Sequence, residues 1–153
     1  MVKIMFVCLG NICRSPMAKF IMKDIVTKKG LSDKIYIDSS ATSTEEIGND
    51  MYSPAKRKLS EKGIPYTYHE AKQFTRNDYT NFDLIICMES RNIISLNRII
   101  ESDYKNKVFR LLDFSNDKKD IADPWYTNDF EKCFNDIYHG CERLLKYIIK
   151  TKL

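Results

Sequence analysis

Short apolar runs alternate with helical stripes along the whole chain, and this alternation limits the fold more than any other feature of the sequence. Lys3 to Val7 is a brief apolar run with β-branched and aromatic residues, and it reads as a buried strand. Pro16 stands where a first helical turn would begin. Met17, Phe20, Ile21, Met22, Ile25 and Val26 follow at helical spacing, and Gly30 supplies the stop. Lys34 to Ser40 predicts a second strand, with Ile35 and Ile37 inward. The polar stretch 41–53 leads to a short basic helix from Pro54 to Lys62, stopped at Gly63. Ile64 to His69 predicts a short third strand. Thr75 with Asp78 marks a helix start, because a hydroxyl can cap the first turn and an acid follows three residues on.

Asp83 to Met88 predicts another buried strand. Ser90 to Glu101 predicts a helix with Ile93, Ile94, Leu96, Ile99 and Ile100 apolar, and Lys107 to Leu112 a last strand. Residues 113–126 form a long polar loop, and a loop of that length in a small domain points to function. The last helix carries Phe130, Phe134, Ile137, Cys141, Leu144 and Ile148 on one face. Such alternation implies a parallel sheet covered on both faces. With 153 residues there is material for one core and too little for two ordinary domains. The expected fold is a single three-layer α/β/α domain over residues 1–153.

Charge and cysteine usage narrow the function classes. The net charge of +4 is spread along the chain, with Lys56-Arg57-Lys58 and Lys118-Lys119 the densest runs. A nucleic-acid binder gathers its cations on one element, so no nucleic-acid partner is expected. No apolar stretch approaches the length of a membrane span. The start, Met1 to Cys8, lacks the pattern of a signal peptide, so a cytoplasmic setting is expected. Five cysteines, an odd number, argue against a disulfide scaffold and for reduced thiols. The two histidines, His69 and His139, do not stand at ligand spacing from the cysteines, so neither a metal nor a cofactor is expected.

The chemistry is concentrated in the segment that leaves the first strand, Cys8-Leu9-Gly10-Asn11-Ile12-Cys13-Arg14-Ser15-Pro16. In parallel sheets ligands bind beyond the carboxyl ends of the strands. This segment is neither a dinucleotide fingerprint nor a nucleoside-triphosphate loop, since it lacks the second glycine and the Gly-Lys pair. Instead a thiol is followed by five residues, an arginine and a hydroxyl, all feeding into a helix N-terminus. That order suits a phosphate dianion. Backbone N–H groups of Leu9, Gly10, Asn11, Ile12 and Cys13 can turn inward as a nest. The helix adds a positive dipole end, and Arg14 can grip two oxygens with its planar fork. Gly10 and Asn11 tolerate the backbone angles a tight loop needs. The same surroundings stabilise negative sulfur, so Cys8 is expected to have a pKa in the range of about 3.5–7.5 and to act as a thiolate nucleophile. The Ser15 hydroxyl can donate to that thiolate. A general acid is also needed on a loop that can approach the nest. Asp117, Asp120 and Asp123 all qualify by composition.

The stretch VCLGNICRSP resembles the active-site loop of the low-molecular-weight protein tyrosine phosphatases. The resemblance extends through Ile37-Asp38-Ser39, His69-Glu70-Ala71-Lys72-Gln73-Phe74, Asp83 to Met88 and Asp123-Pro124-Trp125-Tyr126, essentially the whole chain. It implies a four-stranded parallel sheet with flanking helices. It also implies metal-independent hydrolysis of protein phosphotyrosine through a phosphocysteine, with oxyanions such as phosphate as inhibitors. Among the three loop acids it selects Asp123. It implies that Ser39 and His69 support Asn11, and that Cys13 can form a reversible disulfide with Cys8. Ile12, Trp125 and Tyr126 would line a deep slot for an aryl ring. Phosphoarginine-specific relatives carry threonine where Ile12 stands, which favours phosphotyrosine here. One departure stands out. Many relatives place an aromatic residue after the second strand, where this chain has Glu45 beside Glu46, so the opposite wall is expected to be acidic.

Two other functions compete. An arsenate reductase of similar fold would need closely spaced mobile cysteines, and Cys87, Cys133 and Cys141 fall inside a strand and a helix. A phosphotyrosine-binding module would need neither a nucleophile nor an acid, yet Cys8, Arg14 and Asp123 occur together.

Overall fold

The computed structural model describes residues 1–153. The first strand, β1 (Val2–Cys8), is buried along almost its whole length, and its side chains alternate between two cores. Val2, Ile4, Phe6 and Cys8 face one side of the sheet. Met5 and Val7 face the other. The period of two therefore puts the Cys8 thiol on the side where the first helix begins.

That helix is α1 (Arg14–Lys28). It ends at Lys29–Gly30 with paired bonds, Gly30 N–H to Thr27 C=O at 3.0 Å and Leu31 N–H to Val26 C=O at 3.0 Å. Gly30 has φ +70°, the left-handed angle this ending requires. β2 (Ile35–Ala41) follows, then α2 (Ser53–Glu61), α3 (Arg76–Asn81), β3 (Leu84–Cys87), α4 (Ser90–Ile100) and β4 (Val108–Arg110). A 3-10 turn over Leu111–Phe114, the short α5 (Pro124–Thr127) and the long α6 (Phe130–Lys152) complete the chain. No helix is long and apolar enough to cross a membrane.

All four strands are parallel, in the order β2-β1-β3-β4. The larger core lies between the sheet, α1, α2 and α6. The smaller one lies on the opposite face, where Phe74, Tyr79, Leu96 and Ile100 of the α3–α4 side meet Met5, Val7 and Ile85. This is the three-layer arrangement expected from the alternation. The strand order reverses direction between β1 and β3, which leaves a crevice at their carboxyl ends.

Two strand expectations need correction. Ile64 to His69 is not a strand: it has no ladder partner, and Pro65 has no N–H to give one. Ile64 turns into the larger core and Tyr66 meets Phe20 edge-on at 6.3 Å, so this segment packs by its side chains. The last strand is also shorter than Lys107 to Leu112, because the Arg110 N–H bonds to the Asp113 carboxylate at 2.8 Å and the chain turns there. The helix start at Thr75 is as expected, with reciprocal bonds of 3.2 and 2.9 Å between Thr75 and Asp78.

Candidate active site

The loop from Leu9 to Cys13 connects the end of β1 to the start of α1, and its carbonyls decide what it can bind. Three of them, and that of Cys8 just before, are taken by donors outside the loop. Thr42 N–H donates to Cys8 C=O at 2.9 Å, Ser43 N–H to Leu9 C=O at 3.0 Å and Tyr52 N–H to Ile12 C=O at 2.8 Å. His69 Nε2 stands 2.7 Å from Asn11 C=O. A trans peptide plane points its N–H opposite to its C=O. Carbonyls turned outward at residues 8, 9, 11 and 12 therefore turn the N–H groups of Leu9, Gly10, Ile12 and Cys13 inward. The result is a cup of amide donors at a helix N-terminus, which is an anion site.

Asn11 holds the turn together. It is fully buried and has φ +61°. Its Nδ2 donates to Ser15 Oγ at 2.8 Å and to Ser39 Oγ at 3.0 Å, and its Oδ1 accepts from Lys72 N–H at 3.2 Å. Its own N–H donates to Cys8 Sγ at 3.3 Å. Ser15 Oγ lies 2.9 Å from the same sulfur. Ionised sulfur can only accept, and at 2.9 Å it is nearer to the serine hydroxyl than the other acceptor, the Ser40 carbonyl at 3.5 Å. Negative sulfur would thus meet two donors. A Cβ at Gly10 would lie 3.3 Å from Glu46 Cγ, so the Glu46 side chain would have to give by a few tenths of an ångström.

Arg14 is the largest fully buried side chain. Its Nη1 donates to Glu89 Oε2 at 2.7 Å and to Ile121 C=O at 2.8 Å, and its Nη2 reaches Asp123 Oδ2 at 3.3 Å. Burial opposes its charge, yet Cys8, Asp123 and Glu89 outweigh that cost and hold the guanidinium above its usual range. Asp123 caps α5, accepting from Trp125 N–H at 3.0 Å through Oδ1. The three acids of the loop are now distinguished by position. Asp120 binds Arg110 and Ser90, Asp117 pairs with Lys119, and Asp123 reaches the cleft.

Above the loop lies a cleft of about 150 Å³. Its floor is Cys8, Leu9, Gly10, Cys13 and Arg14; Ile12, Glu45, Glu46, Asp123, Trp125 and Tyr126 form the sides. Trp125 stands against Tyr52 with ring centroids 4.8 Å apart, so an exposed indole is braced from behind. Glu46 is held by Asn49 at 2.7 Å. Cys13 is buried, and burial followed by the nearness of Cys8 and Asp123 pushes its thiol well above the usual range. Ser39 and His69 lie behind the loop and not in the cleft.

Four participants escape a reading of the sequence: Glu89 and the Ile121 carbonyl on Arg14, Tyr52 behind Trp125, and Lys19 on His69. Glu89 had a signal, since it stands two residues past the end of β3, at the carboxyl end where parallel sheets place their ligands. Lys19 had one too, as a cation one helical turn after Ser15 within an apolar stripe.

The family model for low molecular weight phosphotyrosine protein phosphatases matches residues 3–153. The chain belongs to this family. It is 41% identical over 154 residues to the low molecular weight protein-tyrosine-phosphatase YfkJ of Bacillus subtilis, covering 99% of both chains. The crystal structure of YfkJ superimposes with a TM-score of 0.96, covering 100% of this chain and 98% of that one. PtpA of Staphylococcus epidermidis is 37% identical, over 98% of this chain and 96% of its own. The crystal structure of SP-PTP, the low molecular weight protein tyrosine phosphatase of Streptococcus pyogenes, gives a TM-score of 0.86 at 38% identity and covers 100% of this chain and 95% of that one. The chemistry of this family is cysteine-based hydrolysis of phosphotyrosine. As a low-molecular-weight phosphatase, the chain presents its thiol, arginine and carboxylate on one cleft.

Proposed function

We propose that this phosphatase hydrolyses protein phosphotyrosine in two steps carried by Cys8, Arg14 and Asp123, with residues 1–153 acting as one domain. In the first step the Cys8 thiolate attacks phosphorus in line with the aryl oxygen. The S–P bond forms, the P–O bond to tyrosine breaks, and protonated Asp123 gives its proton to the departing phenol oxygen. The Arg14 fork and the inward amides of Leu9, Gly10, Ile12 and Cys13 hold the three equatorial oxygens, where charge grows in the transition state. In the second step the Asp123 carboxylate takes a proton from water, the hydroxide attacks phosphorus and the S–P bond breaks. The Ser15 hydroxyl donates to the sulfur as it leaves, and inorganic phosphate is released. Phosphate and other oxyanions compete for the same cup.

The observation that carries this reading is the pair of groups, Asn11 N–H and Ser15 Oγ, at Cys8 Sγ beneath a loop in which the carbonyls of residues 8, 9, 11 and 12 are tied outward. The braced Trp125 and the Ile12 side chain, both lining the cleft that holds Cys8, support an aryl ligand. Glu45 and Glu46 on the facing side support peptides with basic residues beside the phosphotyrosine. Cys13, in the same loop as Cys8, supports a reversible disulfide. There peroxide accepts two electrons from the two thiols and leaves as water. Five unpaired thiols support a reducing, cytoplasmic setting.

The test is a panel of phosphopeptides and p-nitrophenyl phosphate with chelator present. Wild type is expected to cleave phosphotyrosine and the aryl phosphate, to spare phosphoserine, and to prefer Lys or Arg flanks over Glu by several-fold. Glu45→Lys should reverse that flank preference. Cys8→Ser should be inactive on every substrate. Full turnover by Cys8→Ser would overturn the reading.

A further inference from the structure

Behind the anion cup lies a buried pair that the two steps above do not use. Lys19, on α1, is 91% buried, and its Nζ lies 2.9 Å from Nδ1 of His69, itself only 3% exposed. The other imidazole nitrogen, Nε2, faces the Asn11 carbonyl at 2.7 Å. A carbonyl only accepts, so Nε2 carries the hydrogen. An ammonium only donates, so Nδ1 is the bare acceptor. Lysine outranks histidine in basicity by about four units, so the one proton between them belongs on Nζ.

We propose that Lys19 is a positioning residue for the phosphatase reaction: its buried ammonium locks His69 in the neutral Nε2–H form that holds the Asn11–Ile12 peptide plane of the cup. The link to catalysis is geometric. His69 pulls the Asn11 carbonyl outward, and the rigid plane then aims the Ile12 N–H inward. A second proton on His69 would have no acceptor at Nδ1 and would face a cation at 2.9 Å.

Other charged groups near the pair come from every element packed on it. Asp38 of β2 lies near both members and is itself bridged by Lys72. Lys23 lies one turn further along α1. Asp50, bound by Lys56, accepts the His69 backbone N–H at 3.0 Å. Their balance leaves the pair with one charge. Burial first, and then Lys19, lowers His69 to about 4. Burial also lowers Lys19 to about 8, so the ammonium is kept through neutral pH. Even above that the free amine still has N–H donors for Nδ1.

This inference rests on the proposed reaction only for its effect on rate; the state of the imidazole can be read without turnover. The experiment is long-range proton–nitrogen NMR of the two imidazoles, with His139→Gln identifying His69, in wild type, Lys19→Met and Lys19→Arg. In wild type, His69 should show protonated Nε2 and bare Nδ1 from pH 8 down to pH 5. Lys19→Met should raise the His69 midpoint by one unit or more. It should lower kcat on p-nitrophenyl phosphate about three- to tenfold at pH 7, the order expected of one weakened hydrogen bond. It should also change the ratio of kcat at pH 5 to kcat at pH 7 by threefold or more. Lys19→Arg should restore both. A wild-type His69 that titrates between pH 6 and 7, or that carries its hydrogen on Nδ1, overturns the inference. So does a folded Lys19→Met with an unshifted midpoint and pH profile. The wild-type spectrum decides the matter even if Lys19→Met fails to fold, and the same spectrum in Cys8→Ser keeps it separate from any failure of the proposed hydrolysis.

Discussion

Arg14 shows how much of a proposed catalytic group is decided by its neighbours. A planar fork buried to 2% exposure is useless for binding unless its orientation is held, and Glu89 holds it through a charge-assisted bond of 2.7 Å. Asp123 makes a longer contact with the same guanidinium, 3.3 Å at Nη2. Glu89→Gln keeps the shape and an acceptor but removes the charge. It is expected to lower kcat/KM on an aryl phosphate about tenfold with the fold intact by circular dichroism, while KM for the aryl group changes little. Unchanged kcat/KM would show that the Ile121 carbonyl alone orients the fork. Cys8, Arg14 and Ser15 are legible in the sequence because the chemistry is local, seven residues from thiol to hydroxyl. Glu89 and Lys19 are not, because each acts on a partner many residues away in the chain, 75 in one case and 50 in the other.

At the scale of elements, the same contrast separates what period predicts from what packing decides. β1, β2, β3 and the helices α1, α4 and α6 follow their apolar spacing closely. Ile64 to His69 has strand-like composition but makes no ladder, Pro65 removes a donor, and the run packs by its side chains as a strap carrying His69. Gly140 is invisible to period arguments because glycine adds no apolar mark to a helix. Its place on α6 is fixed by contact: a Cβ there would stand 2.6 Å from Leu111 Cγ in the 3-10 turn. Gly140→Ala improves helix propensity by roughly 1 kcal/mol but forces Leu111 or the helix aside, which costs about 1–3 kcal/mol. The net expectation is a lower urea midpoint with an unchanged slope. A higher midpoint would mean that Leu111 yields freely. Since the turn leads toward the Asp123 loop, the variant should also show weaker protection of that loop from proteolysis.

Across the whole molecule, β1 ties both cores to the site. Even-numbered residues pack under α1 and α6, odd ones under α3 and α4, and the last of the even set is Cys8. Function and stability therefore share buried groups, and His69 makes this measurable. Its folded pKa lies at about 4, below the unfolded value of about 6.5, because of burial and then Lys19. Above pH 6.5 both states leave it neutral, and its contribution is fully present. As pH falls from 6.5 to 4 the unfolded chain takes up a proton that the folded imidazole refuses, so stability is lost through that window, by up to about 3 kcal/mol. Denaturant unfolding of wild type and His69→Asn at pH 7 and pH 4.5 should show the variant less stable at pH 7 and with a smaller loss on acidification. Equal losses in both proteins would remove His69 from the acid response.

In the proposed reaction, sulfur at the end of β1 accepts the phosphoryl group. Rapid acid quench of wild type and Asp123→Ala with a radiolabelled phosphotyrosine peptide tests it most directly. Label is expected on the protein at up to one equivalent, mapped by proteolysis to the peptide containing Cys8 and absent from Cys8→Ser. Label on Ser15, or phosphate released with no labelled protein at any quench time, would contradict it.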